Sequence, residues 1–135
     1  MSRRKAREMA LQALFQLDYN QTDKNEALDA VFSEREGITD NAKLYAQEIV
    51  EGTQRNLPQI DEIIANNSTE WKLGRMAGVD RNITRLAIYE MKFGREQLAP
   101  NIIINEAVEL AKTFGSDESG RFINGILGSL VKNKS

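Results

Sequence analysis

Apolar residues recur three and four positions apart along almost the whole chain, and nowhere do they alternate singly as in a half-buried strand. The first stripe is Ala6, Ala10, Ala13, Leu14 and Leu17. From Glu8 onward it reads as a helix that stops near Tyr19, before the polar run Asn20-Gln21-Thr22-Asp23. A short second helix carries Ala27, Leu28, Val31 and Phe32 and ends towards Gly37. Thr39 or Asp40 is placed to cap a third, with the stripe Ala46, Ile49, Val50, Thr53 and Leu57. Pro58 stands where a first helical turn tolerates proline and opens a helix through Ile60, Ile63 and Ile64. Asn66-Asn67-Ser68-Thr69 is turn material, and Trp71, Leu73 and Met76 then read as one inward-packing helical turn. Val79, Ile83, Leu86, Ala87 and Met91 mark a helix bounded by Gly78 and Gly94. Another follows Pro100 with Ile103, Ala107, Leu110, Ala111 and Phe114, and Gly115 is positioned as its C-terminal cap. The last runs from about Glu118 to Lys132 over Ile123, Ile126, Leu127, Leu130 and Val131. The pattern predicts an all-α fold, a compact bundle of six or seven helices. No repeat, linker or low-complexity run divides residues 1–135, so one domain is expected.

Composition narrows the chemistry. The chain has 135 residues, enough for a real hydrophobic core, and contains neither cysteine nor histidine. That removes disulfides, thiolate chemistry, the commonest metal ligand and the commonest general base. Neither a phosphate loop nor a dinucleotide fingerprint occurs, and no nucleophile–base pair is visible. Glu106 and Glu109 share a helix face without a third ligand, which reads as a solvated polar face. Glu90 falls on an apolar stripe and needs a partner: Arg81, Arg85 or a polar group of another helix, in a structural ion pair. No catalysis, cofactor or metal is expected. The opening lacks the apolar run of a secretory signal, and no window is long and apolar enough to span a membrane. A soluble, cytoplasmic protein is expected.

Charge changes the picture most. The net charge is −2, yet Arg3, Arg4, Lys5 and Arg7 contribute +4 and residues 121–135 contribute +3, leaving −9 on residues 8–120. Such asymmetry points to two partners of opposite preference. A helix N-terminus carries about half a positive charge, so each exposed cation there is unfavourable by roughly 0.3–1 kcal/mol. Two readings stand: a frayed, solvated tail, or a site awaiting an anion such as phosphate. A second candidate is "GSDESGRFINGILGSL". Phe122 lies four residues before Ile126, as a core residue would, but beside Arg121 it also suits stacking on an unpaired base. Gly125 and Gly128 lie close to one helix face and make sense if a neighbouring helix packs closely there. In "GVDRNITRLAIYEM", Asp80 next to Arg81 is placed to cap the helix or to face a basic partner.

Three stretches, "RRKAREMALQALFQLD", "VDRNITRLAIYEMKF" and "NEAVELAKTFGSDESGRFINGIL", together resemble the NusB family of bacterial transcription antitermination factors. They occur in the family's order and spacing, with Trp71-Lys72-Leu73 leading into the middle one. The resemblance implies two helical halves, here about 1–57 and 58–135. It implies binding of the boxA element of ribosomal RNA operon transcripts together with the ribosomal protein NusE. It further implies entry into an antitermination complex on RNA polymerase with other Nus factors. Carried onto this sequence, the RNA surface comprises Arg3, Arg4, Lys5 and Arg7, with Glu118, Arg121 and Phe122. The NusE surface is expected at Phe15, Tyr19 and Asp80. Some members form homodimers, which the sequence leaves open. The competing reading is a helical adaptor that binds only proteins and leaves the basic start as a tail.

Overall fold

The computed structural model describes residues 3–20, 22–67, 76–96 and 98–133. Its elements are α1 (Arg4–Tyr19), α2 (Lys24–Ser33), α3 (Asp40–Arg55), α4 (Leu57–Asn67), α5 (Gly78–Ile88), α6 (Pro100–Phe114) and α7 (Ser119–Asn133). A π-helical turn, Tyr89–Phe93, continues α5. The described residues contain no strand, and none of their helices is long and apolar enough to cross a membrane. Trp71 and Leu73 lie outside the described residues, whereas Met76 is buried as expected.

Several helices begin for a local reason. The Asp23 carboxylate accepts from the Asn25 N–H at the start of α2, and the Thr39 hydroxyl accepts from Ala42 N–H at the start of α3. Pro58 and Pro100 occupy first-turn positions where a missing N–H costs nothing. At α7 the Ser119 hydroxyl reaches back to accept from the Ser116 N–H at 2.9 Å. Helix α1 lacks such a device: Arg3 precedes it without a side-chain cap and no acid occupies its first turn.

Several boundaries differ from the sequence reading. α1 starts at Arg4, so the cations lie in the first turn itself. α2 stops at Ser33, and Leu57, Asn66 and Asn67 belong to α4. Gly115 does end α6, but with extended backbone (φ −99°) and its N–H bonded to the Ala111 carbonyl. Among the described residues no helix packs on Gly125 or Gly128: a Cβ at either would meet none of their atoms within 4 Å.

Every helix contributes to one apolar cluster, including Met9 and Leu14 of α1, Ile49 of α3, Ile60 of α4, Ile83 of α5, Ile103 of α6 and Leu127 of α7. α1 packs against α2, α3 and α5, while α6 packs against α5 and α7. Gly52 of α3 lets the buried Tyr89 ring lie directly on its backbone. An ionic clamp then fixes α1 to α5. Arg81 donates to Asp18 at 2.6 and 3.0 Å, and Asn82 at 3.1 Å. Arg85 adds a 3.4 Å ion pair to Asp18 and a forked one to Asp61 of α4 at 2.8 and 2.9 Å. Burial alone would raise the Asp18 pKa, but the hydrogen bond from Arg81 and the charge of Arg85 outweigh it and hold it below the ordinary range.

Candidate nucleic-acid interface

The cations in the first turn of α1 are neither a frayed tail nor uniformly exposed. Their geometry answers the electrostatic objection to their placement, because acids from later in the chain face each arginine. Arg7 is only 5 % exposed and forks onto Glu90, which is 3 % exposed, at 2.8 and 3.1 Å. The Tyr45 hydroxyl of α3 also donates to Glu90. Arg7 reaches Glu106 at 3.4 Å as well. Burial by itself would lower the Arg7 pKa, but the hydrogen bond and charge of Glu90 more than reverse this and the net direction is upward. Tyr45 titrates well above an ordinary phenol because burial and the Glu90 carboxylate both oppose its ionisation. Glu90 is therefore the structural ion-pair partner its position on the stripe demands. Its partners are Arg7 and Tyr45 rather than Arg81 or Arg85, which turn to Asp18 and Asp61.

Glu90 lies at the start of the π-helical turn. The Gly94 N–H bonds to the Tyr89 carbonyl at 2.7 Å, one residue wider than in an α-helix. Where the turn begins, two consecutive side chains are buried: Tyr89 over Gly52, and Glu90 against α1.

Arg3 and Arg4 lie outside that buried pair. The Arg3 guanidinium stacks 4.5 Å from the Tyr45 ring centroid and pairs with Glu96. Arg4 pairs with Glu106 at 2.9 Å. These arginines lower the pKa of Glu96 and of Glu106, chiefly through the hydrogen bonds they donate, so both carboxylates are ionised at neutral pH. Glu106 is thus not simply part of a solvated face, while Glu109 pairs with Lys112 at 3.2 Å. Lys5 is exposed.

A polar cleft of about 650 Å³ opens beside Arg4, between α1, α6 and α7. Asn105, Glu106, Glu109 and Lys112 of α6 form one wall, and Gly120, Arg121 and Asn124 of α7 the other. Arg4 and Arg121, 117 positions apart in the sequence, therefore face the same space. Phe122 is half-buried and packs against the core cluster, whereas Glu118 is exposed on the turn before α7. Sequence reasoning does not single out Tyr45, Glu96, Asn105 or Lys112. Tyr45 matches the core spacing of α3, and the other three sit on polar positions without a distinguishing pattern.

A second, apolar groove of about 290 Å³ lies farther along α1. Leu11, Gln12, Phe15 and Gln16 line it with Val79 of α5 and Phe114 of α6. Phe15 is 38 % exposed and Tyr19 59 %, their ring centroids 4.8 Å apart. Next to Val79, Asp80 occupies the first turn of α5 rather than its cap, which is Ala77. It is nine-tenths buried, and its Oδ1 has no hydrogen-bond partner among the described residues. Among the described residues no group of three or more histidine, cysteine, aspartate or glutamate side chains is placed to hold a metal ion.

Known proteins match this chain over nearly its full length. The model of the NusB family covers residues 4–132. The transcription antitermination protein NusB of Pelotomaculum thermopropionicum is 50 % identical, over 98 % of this chain and 91 % of its own. That of Bacillus subtilis is 44 % identical, over 96 % and 94 %. Among solved structures, T. maritima NusB superposes with a TM-score of 0.88 at 35 % identity, covering 98 % of this chain and 92 % of its own. A crystal structure of the antitermination factors NusB and NusE in complex with dsRNA gives 0.85 at 27 % identity, covering 97 % and 96 %. Sequence and fold agree from the first turn of α1 to the last turn of α7: the chain belongs to the NusB family.

Proposed function

We propose that this chain is a transcription antitermination factor that captures boxA RNA of ribosomal RNA operon transcripts together with NusE. In that assembly it joins the antitermination complex on RNA polymerase with other Nus factors. The observation that carries the reading is the cleft in which Arg4 of α1 faces Arg121 of α7. Guanidinium forks grip phosphates, and a strand laid along the cleft would meet both, with Arg3 and Lys5 next to Arg4 in sequence as further cations. Arg7 has a different part: buried on Glu90, it anchors the turn that presents the other three. Glu118 and Phe122 border the same end of α7, where the accessible part of the Phe122 ring suits stacking on a base. Phe15 and Tyr19 form the exposed apolar surface for NusE, with Asp80 close by in the first turn of α5, next to Val79 of the groove. The acidic middle of the chain suits a basic ribosomal protein.

The test is an anisotropy titration with boxA RNA and a scrambled RNA, each single-stranded and duplex, with and without NusE. Tighter binding of single-stranded boxA, strengthened by NusE, is expected. Contacts from Arg3, Arg4, Lys5 and Arg121 should give a log–log salt slope of about −3, at roughly 0.7 per phosphate on a single strand. Equal affinity for the two sequences removes the specific reading. A flat salt response favours the protein-only adaptor.

A further inference from the structure

The cations best placed to meet RNA are already engaged by carboxylates of the same chain. Arg3 is held by Glu96 and Arg4 by Glu106, and both acids are ionised at neutral pH. A phosphate approaching Arg4 therefore meets a competing anion 2.9 Å from its target. Glu106 already occupies the Nε–Nη2 edge of Arg4, so a phosphate that grips this same forked edge must displace the carboxylate.

Displacement is feasible because each acid has somewhere to go. Glu106 lies 3.4 Å from Arg7, a buried cation that keeps its main bond to Glu90 and can hold Glu106 when Arg4 leaves. Glu96 is 47 % exposed at its side chain and can return to water. Neither release strands an unpaired buried charge, which would be far more costly. In the cleft as a whole, Arg4, Lys112 and Arg121 face Glu106 and Glu109, so the cationic excess is small.

From this geometry we infer that Glu96 and Glu106 are affinity-limiting residues: internal stand-ins for phosphate that RNA must displace from Arg3 and Arg4. The inference rests on the RNA-binding reading above. Their action falls on contacts to the backbone rather than to bases. Removing them should therefore strengthen binding of every RNA by a common factor and leave sequence preference unchanged. The pairs are accessible to solvent, so the gain is moderate, about two- to fivefold for each carboxylate.

The experiment compares Glu106→Gln, Glu96→Gln and the double variant of the full chain with wild type, titrated with boxA and scrambled RNA at one salt concentration. Asp29→Asn, an exposed acid of α2, controls for bulk charge. Both glutamine variants should bind both RNAs more tightly by the same factor, with Asp29→Asn unchanged. The Glu106→Gln gain should vanish when Arg4 is also Gln, and the Glu96→Gln gain when Arg3 is also Gln. Unchanged or weaker binding by Glu106→Gln and Glu96→Gln, with melting temperatures at the wild-type value, overturns the inference. So does a gain that persists without its arginine or that Asp29→Asn reproduces. If wild type binds RNA and the variants gain nothing, only this inference falls; if no form binds either RNA, the RNA reading falls with it.

Discussion

Arg3, Arg4 and Arg7 belong to one cationic run yet differ in burial, and burial decides what each loses on substitution. Arg7→Ala leaves the Glu90 carboxylate in the interior with the Tyr45 hydroxyl as its remaining side-chain donor among the described residues. Breaking a buried pair in this way costs about 3–5 kcal/mol. A denaturant melt should show that loss, and Arg7→Met with Glu90→Leu should recover most of it, since a packed apolar pair carries no stranded charge. Arg4→Ala, at the exposed edge of the same turn, should leave the melt near wild type and weaken RNA capture instead. The sequence reveals the run and the misplaced Glu90, but not that the two meet. Arg7 and Glu90 are 83 positions apart, and nothing in helical spacing fixes which distant acid a cation will reach.

At the scale of elements, the helices are legible because stripes of apolar residues have a period that no other structure shares. Capping residues, prolines and polar breaks then place most ends within a few positions. Two features escape. The apolar pattern sets the start of α1 four residues too late, because the local field disfavours cations in a first turn and the compensating acids come from distant parts of the chain. The π-helical turn at Tyr89–Phe93 escapes because it is settled by packing of Tyr89 on Gly52 and of Glu90 on Arg7. The clamp between α1 and α5 carries its own prediction. The folded Asp18 pKa lies below its ordinary value of 3.8, so its contribution is present above that value and is lost as pH falls through the depressed one. Asp18→Asn should therefore be less stable than wild type at pH 7. The difference should shrink as the pH of a series of guanidinium melts is lowered from about 6 to about 3. A constant gap would mean that Asp18 acts through packing alone.

For the whole molecule, the separation of the two surfaces is the informative fact. The polar cleft lies at the first turn of α1 beside α6 and α7, and the apolar groove lies farther along α1 beside Val79 and Phe114. Damage to one should leave the other intact. Phe15→Asp places a charge in the apolar groove, and should abolish the strengthening of RNA binding by NusE without altering capture by the chain alone. Pull-down and anisotropy on the same preparation test both halves of that statement; loss of RNA binding by the isolated variant would contradict it. The uneven charge of the sequence already points to two partners of opposite preference, but only the fold brings Arg4 and Arg121 to one cleft.

The widened turn after α5 ties two distant parts of the chain together. Each residue of an α-helix rotates the next by about 100°, so deleting one position between Tyr89 and Phe93 would restore a regular spiral and swing the downstream segment around the axis. Glu96 would be carried away from Arg3, and Tyr89 or Glu90 would lose its seat. A single missing residue deep in the chain would thus release Arg3 from its carboxylate and unsettle the anchor of Arg7, some eighty positions upstream, without touching a single arginine.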